Sequence, residues 1–166
     1  MDLKFKNMKK LIMTAVIATM FSVAAFAADG GKKNKSEAGV STTVLNRFAA
    51  DFSDVKDAVW TVSSTSQKAT FVLNAIEYTA FYDLQGEFLG TTNRVSYDIV
   101  IPAEAKETIA KKYDGYEVSE VIKFAYAGKD NDVSPIVYFI DLKKGDKEVV
   151  LRTSPGEAIT FYKQVK

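Results

Sequence analysis

The chain contains no cysteine and no histidine. Lack of cysteine rules out disulfides, a thiolate nucleophile and a lipid anchor attached through cysteine. Lack of histidine removes the commonest general base and a usual ligand of zinc and copper. There is no glycine-rich phosphate loop. Lys+Arg (22) and Asp+Glu (21) nearly balance, so nothing draws the chain over long range to nucleic acid or anionic lipid. Few catalytic arrangements survive. Ser63-Ser64-Thr65-Ser66-Gln67-Lys68 contains Ser-x-x-x-Lys, but a serine–lysine nucleophile needs a helix to present both groups, and this stretch reads as a polar turn. Asp130-Asn131-Asp132 lacks the following glycine and distal glutamate of a calcium loop and reads as a solvated hairpin loop. Glu104 and Glu107 suit a helix N-terminus better than a sugar cleft. The expectation is a protein that is not an enzyme and holds no metal or cofactor.

What is present begins with a targeting segment. Lys4, Lys6, Lys9 and Lys10 form a basic region ahead of the uncharged run LIMTAVIATMFSVAAFA, and Ala25-Phe26-Ala27 is a small-x-small cleavage site. This is the pattern of a secretory signal peptide over residues 1–27. Its removal takes away four lysines and one aspartate and leaves a slightly acidic chain. No later apolar run approaches spanning length, so the expectation is a periplasmic or secreted protein without stable membrane insertion. Residues 28–40, which include DGGKKNKSEAG, are polar and aperiodic and read as a flexible leader. The domain proper is expected over residues 41–166.

Within that domain the apolar period changes three times. Ser41 or Thr42 can cap a helix whose stripe is Val44, Leu45, Phe48 and Phe52. Ala58–Ser63, Ala69–Ala75, Tyr78–Leu84 and Phe88–Ile101 then read as four strands in an antiparallel meander, the last bent at Ser96. Pro102 opens a second helix at its first position, with Ala105, Ile109 and Tyr113 on one face and Gly115 as its stop. Glu117–Ala127, Ile136–Leu142, Lys147–Thr153 and Ala158–Val165 are four more strands. Phe81-Tyr82-Asp83-Leu84…Gly86 is echoed by Phe139-Ile140-Asp141-Leu142…Gly145. The expected architecture is therefore α+β, two tandem units of one helix plus four antiparallel strands, with repeat halves at about 41–101 and 102–166.

The ordered set Phe48…Phe52, Val59-Trp60, Ala69-Thr70-Phe71, Tyr82-Asp83…Gly86, Ile101-Pro102 and Tyr113-Asp114-Gly115-Tyr116 resembles the PepSY-like family. These are small secreted domains related in fold to PepSY domains and to the β-lactamase-inhibitor protein. The chain departs from the family pattern at Val59-Trp60, where two tryptophans are common, and at Asp114, where proline is common. The resemblance implies helices packed on one face of an antiparallel sheet with the other face open, and binding rather than catalysis.

Aromatic residues supply the strongest signal outside the core. Tyr78 and Tyr82 share a strand face while Phe81 takes the other; Tyr138 lies opposite Phe139, and Tyr162 opposite Phe161. The alternation suggests one face rich in phenylalanine and a second, open face carrying Tyr78, Tyr82, Tyr126, Tyr138 and Tyr162, or else tyrosines packed beneath the helices. Trp60 reads as core. Arg47, Arg94 and Arg152 are too dispersed in sequence to form an anion site. The expected role is a secreted binding domain that inhibits or regulates another envelope or secreted protein; a module for a small ligand, peptide or glycan is the alternative. Open sheet edges would permit a monomer or a weak dimer.

Overall fold

The computed structural model describes residue 37 and residues 39–128 and 135–166. The signal peptide, almost all of the leader and the Asp130-Asn131-Asp132 loop lie outside them. The described chain falls into two compact units, one ending at Leu89 and one running from Gly90 to Lys166.

In the first unit, α1 (Thr42–Asp51) begins where Ser41 turns its hydroxyl back to accept the Val44 N–H at 3.3 Å. Val44 and Phe48 are buried, and the Phe52 N–H closes the helix by donating to the Phe48 carbonyl. β1 (Ala58–Val62), β2 (Gln67–Leu73) and β3 (Ile76–Tyr82) follow as antiparallel neighbours. The Ser63 hydroxyl accepts the Thr65 and Ser66 N–H groups and donates to the Ser66 carbonyl, so this stretch is turn chemistry. Asn74 and Ala75 join β2 to β3 with φ of 51° and 63°, the left-handed pair of a two-residue hairpin. Alternation turns Ala69, Phe71, Ala80 and Tyr82 toward α1, where Trp60, Tyr78 and Phe88 complete a largely aromatic core. Phe48 sits at its centre, with ring centroids 5.1 Å from Trp60, 5.2 Å from Phe52 and 5.3 Å from Phe71.

The second unit starts inside β4 (Phe88–Arg94). The strand expected to reach Ile101 stops at Arg94. Ser96 instead takes the cap position of a single helical turn, α2 (Tyr97–Val100), and its carbonyl accepts the Ile99 and Val100 N–H groups; its side chain makes no capping bond, and Asp98 in that first turn suits the positive end of a helix. α3 (Ala103–Lys112) has Pro102 as its cap residue rather than its first helical residue. Ile109 is buried, and Ala105 and Tyr113 pack on the same side. Glu107 and Lys111 pair at 3.7 Å. Gly115, at φ +74°, reverses the chain in a conformation that a residue with a Cβ disfavours. β5 (Glu117–Tyr126), β6 (Ile136–Lys144), β7 (Lys147–Thr153) and β8 (Thr160–Gln164) complete the unit, all paired antiparallel. α3 covers an aliphatic core of Ile101, Ile109, Val121, Ile140, Leu142, Val149 and Leu151.

The strands form one eight-stranded sheet in sequence order, β1 to β8. This corrects the expectation of two tandem helix-plus-four-strand units. β4 pairs directly with β5, Gly90 opposite Tyr126 through Arg94 opposite Ile122, so the helical connection between them does not end one sheet and start another. Gly90 makes that pairing possible: a Cβ there would lie 2.3 Å from the Ala125 carbonyl oxygen, a clash that backbone cannot relieve.

Candidate binding face

The sheet of the second unit has two faces with different chemistry. Tyr138, Ile140 and Leu142 of β6 pack into the core under α3, so Val137, Phe139, Asp141 and Lys143 point to the other side. The register carries this second face across the strands. Phe139 lies opposite Ile122 and Arg152, Val137 opposite Phe124, and Asp141 opposite Glu120 and Val150. β8 contributes through a bulge: Leu151 pairs with Phe161 and Val150 with Lys163, leaving Tyr162 as the extra residue. That bulge aims the Tyr162 ring at Phe139, 5.2 Å between centroids. On the other flank the Tyr126 ring meets Phe124 at 4.6 Å. Both phenylalanines are buried, and both tyrosines are half-buried.

Arg152 stands between the two tyrosines. It is exposed, and burial pushes the Tyr126 and Tyr162 phenols above their ordinary pKa while the guanidinium charge pulls both back. A groove of about 440 Å³ opens beside it, lined among others by Tyr126, Ile136, Val137, Pro155 and Glu157. The Thr153 hydroxyl, by donating to the Glu157 carbonyl at 2.9 Å, fixes the turn that forms its wall. The other two arginines are engaged. Arg47 Nε pairs with Asp51 at 2.8 Å and Arg94 Nε with Glu120 at 2.8 Å. Arg152 has no ion pair among the described residues.

Asp141 is the other unexpected group. It is fully buried, and among the described residues neither carboxylate oxygen receives a hydrogen bond. The Lys143 ammonium, 3.3 Å away and also 4.0 Å from Glu148, is its charge partner.

The five tyrosines expected on the open face divide. Tyr126 and Tyr162 lie on the face away from α3. Tyr138 packs into the core beneath α3. Tyr78 and Tyr82 belong to the aromatic core under α1: Tyr78 stacks on Phe71 at 6.0 Å, and Tyr82 is 0 % exposed. Burial drives the Tyr82 phenol far above its ordinary pKa, with the Asp51 charge adding to the shift and Arg47 opposing it. The proposed division into a phenylalanine face and a tyrosine face is therefore corrected. Alternation says which residues share a face, not which face the helix covers, and both ring types occur on both sides. Sequence reasoning sets Arg152 aside as too dispersed from the other arginines and reads Asp141 only as part of a repeated motif. Asp141 was visible as an acid in register with Val137 and Phe139; Arg152 had no local signal, because its tyrosine neighbours come from β5 and β8.

No family model and no curated protein matches the chain. Solved structures do share its fold. A DUF2874 family protein from Bacteroides uniformis superposes with a TM-score of 0.63 at 14% identity, covering 75% of this chain and 89% of that one. A DUF2874 family protein from Bacteroides ovatus gives 0.61 at 16%, covering 75% and 86%. A BLIP-like protein from Bacteroides fragilis gives 0.58 at 17%, covering 75% and 86%. The chain thus has a fold similar to that of a BLIP-like protein; none of these three is described as a PepSY domain.

Proposed function

We propose that this protein is an exported, non-enzymatic binding domain that uses the α3-distal face of its second unit to engage and regulate another envelope or secreted protein. The observation that carries this reading is the grouping of exposed Arg152 with half-buried Tyr126 and Tyr162 on the side of the sheet away from α3, around buried Phe124, Val137 and Phe139. Tyrosine and arginine are enriched at protein interfaces, tyrosine because it offers large contact area with only two side-chain torsions and arginine because its guanidinium makes several directional hydrogen bonds. Support for an exported location comes from the signal-like N-terminus. Among the described residues, moreover, no helix is long and apolar enough to cross a membrane. The fold likeness to a BLIP-like protein is consistent with a non-enzymatic domain. A photo-crosslinking residue placed at Tyr126 or Tyr162 in living cells tests the reading, with exposed Val72 and Ile99 as control positions. Discrete adducts with an exported protein at the two tyrosine sites alone are expected; the same adducts at all four positions, or none at the tyrosines, would overturn it.

The groove beside Arg152 favours a second reading, a module for a peptide, glycan or small ligand. Under that reading the tyrosine-site crosslinks carry no protein, and the purified protein is stabilised by a soluble ligand.

A further inference from the structure

We propose that the groove lined by Tyr126 and Arg152, with Tyr162 held on Phe139 beside the arginine, is a receptor for an acidic side chain, so that the partner surface presents an aspartate or glutamate to it. This rests on the reading above and names the chemistry of the partner at that face.

Three observations lead to it. Arg152 alone of the three arginines has no ion pair among the described residues; Arg47 and Arg94 each hold a carboxylate at 2.8 Å. Its position is set by strand pairing rather than by chance, since the residue lies opposite Phe139, and the Phe139 ring is fixed against Tyr162. The backbone is held on the other side as well, because the Thr160 hydroxyl donates to the Arg152 carbonyl at 3.2 Å. An exposed guanidinium on a paired strand, with half-buried tyrosines on either side, offers a planar fork of donors to a partner group. A carboxylate can accept two of those donors, and the Tyr126 and Tyr162 hydroxyls can donate to its remaining lone pairs. Glu157 lines the same groove but makes no ion pair with Arg152, so the guanidinium remains available. A cationic partner group would meet the arginine charge unfavourably, which makes the site selective in sign.

Selection from a random linear peptide display library against the purified protein tests the inference. The wild type is expected to enrich peptides with Asp or Glu, and Arg152→Glu to abolish that enrichment. For a selected peptide, changing its acidic residue to the amide should weaken binding about tenfold or more, as should Arg152→Glu, while Arg152→Lys should retain part of the affinity. Arg47→Glu, which alters an arginine outside the cleft, should leave binding unchanged. Because Arg152 is exposed, the variants are expected to melt like wild type. Selection without acidic enrichment overturns the proposal, and so does enrichment that survives Arg152→Glu. Either result leaves the binding-face reading standing if the tyrosine-site crosslinks are found; loss of those crosslinks removes that reading itself.

Discussion

The two units put similar sequence to different use. Phe81-Tyr82-Asp83-Leu84 and Phe139-Ile140-Asp141-Leu142 differ only at Tyr82 and Ile140, with a glycine soon after each. Tyr82 and Ile140 both face the helix-covered side. The aspartates then diverge. β3 ends at Tyr82, so Asp83 falls in the turn and accepts the Gln85 and Glu87 N–H groups at 2.9 and 2.8 Å. β6 continues to Lys144, so Asp141 is carried into the sheet and buried beside Lys143. Where a strand stops decides whether the same acid is a turn anchor or a buried charge. The cores differ in the same way: rings under α1, branched aliphatics under α3.

The widest expected effect tests the contrast between cores. Phe48→Ala should cost about 4 kcal/mol, because Phe48 contacts three other rings and its loss leaves a cavity that rigid aromatic neighbours cannot fill. Ile109→Ala should cost about 3 kcal/mol, since aliphatic side chains can shift to close part of the gap. Denaturant unfolding of both variants measures the order; a larger loss for Ile109→Ala would show that the aromatic cluster is not the tighter core.

The aspartate pair gives the next effect. Lys143→Met removes the cation beside a buried carboxylate and should cost about 2 kcal/mol, below the full value for breaking a buried pair because Lys143 is half-exposed. Adding Asp141→Leu should recover most of it, as replacing both partners with apolar groups is often neutral or stabilising. Asp83→Ala should cost about 1 kcal/mol, the loss of two exposed turn hydrogen bonds. If Lys143→Met melts like wild type, the distinction between the two aspartates fails.

The same comparison shows what was legible beforehand. The helix stripes at Val44–Phe48 and Ala105–Ile109 were readable because helical periodicity is local, and so were the strand segments apart from the end of the fourth, which stops at Arg94 before a helical turn. The single sheet was not readable, because it depends on Gly90 pairing with Tyr126 across a helical connection, and nothing near either residue records that register. Nor was the covered face. Tyr82 and Phe81 alternate as any strand does, and only the position of α1 makes one of them core. The cleft around Arg152 needed both kinds of nonlocal information, the register of β5 to β8 and the bulge that turns Tyr162 toward Phe139.

The smallest expected effect concerns the tyrosines that the two units place differently. Among the described residues the Tyr82 hydroxyl is buried and finds no hydrogen-bond partner, so it loses its hydration on folding without compensation. Tyr82→Phe keeps the ring and its contacts with Trp60 and Phe88, and should stabilise the fold by about 1 kcal/mol near neutral pH. The pH dependence follows from the raised phenol pKa. The folded state holds its proton where the unfolded chain has already lost it, so the stability is fully present below about pH 10, the unfolded value, and declines as pH rises above it. In the Phe variant this alkaline decline should be shallower, with the remainder arising from Tyr97, Tyr126 and Tyr162, whose pKa values are also raised. Tyr162→Phe, in the second unit, should shift neutral stability less, since Tyr162 is only half-buried. Unfolding curves at neutral pH and above pH 10 measure both terms. An unchanged alkaline slope in Tyr82→Phe would mean that its phenol reaches water in the folded state, and that the core under α1 is less closed than its ring contacts indicate.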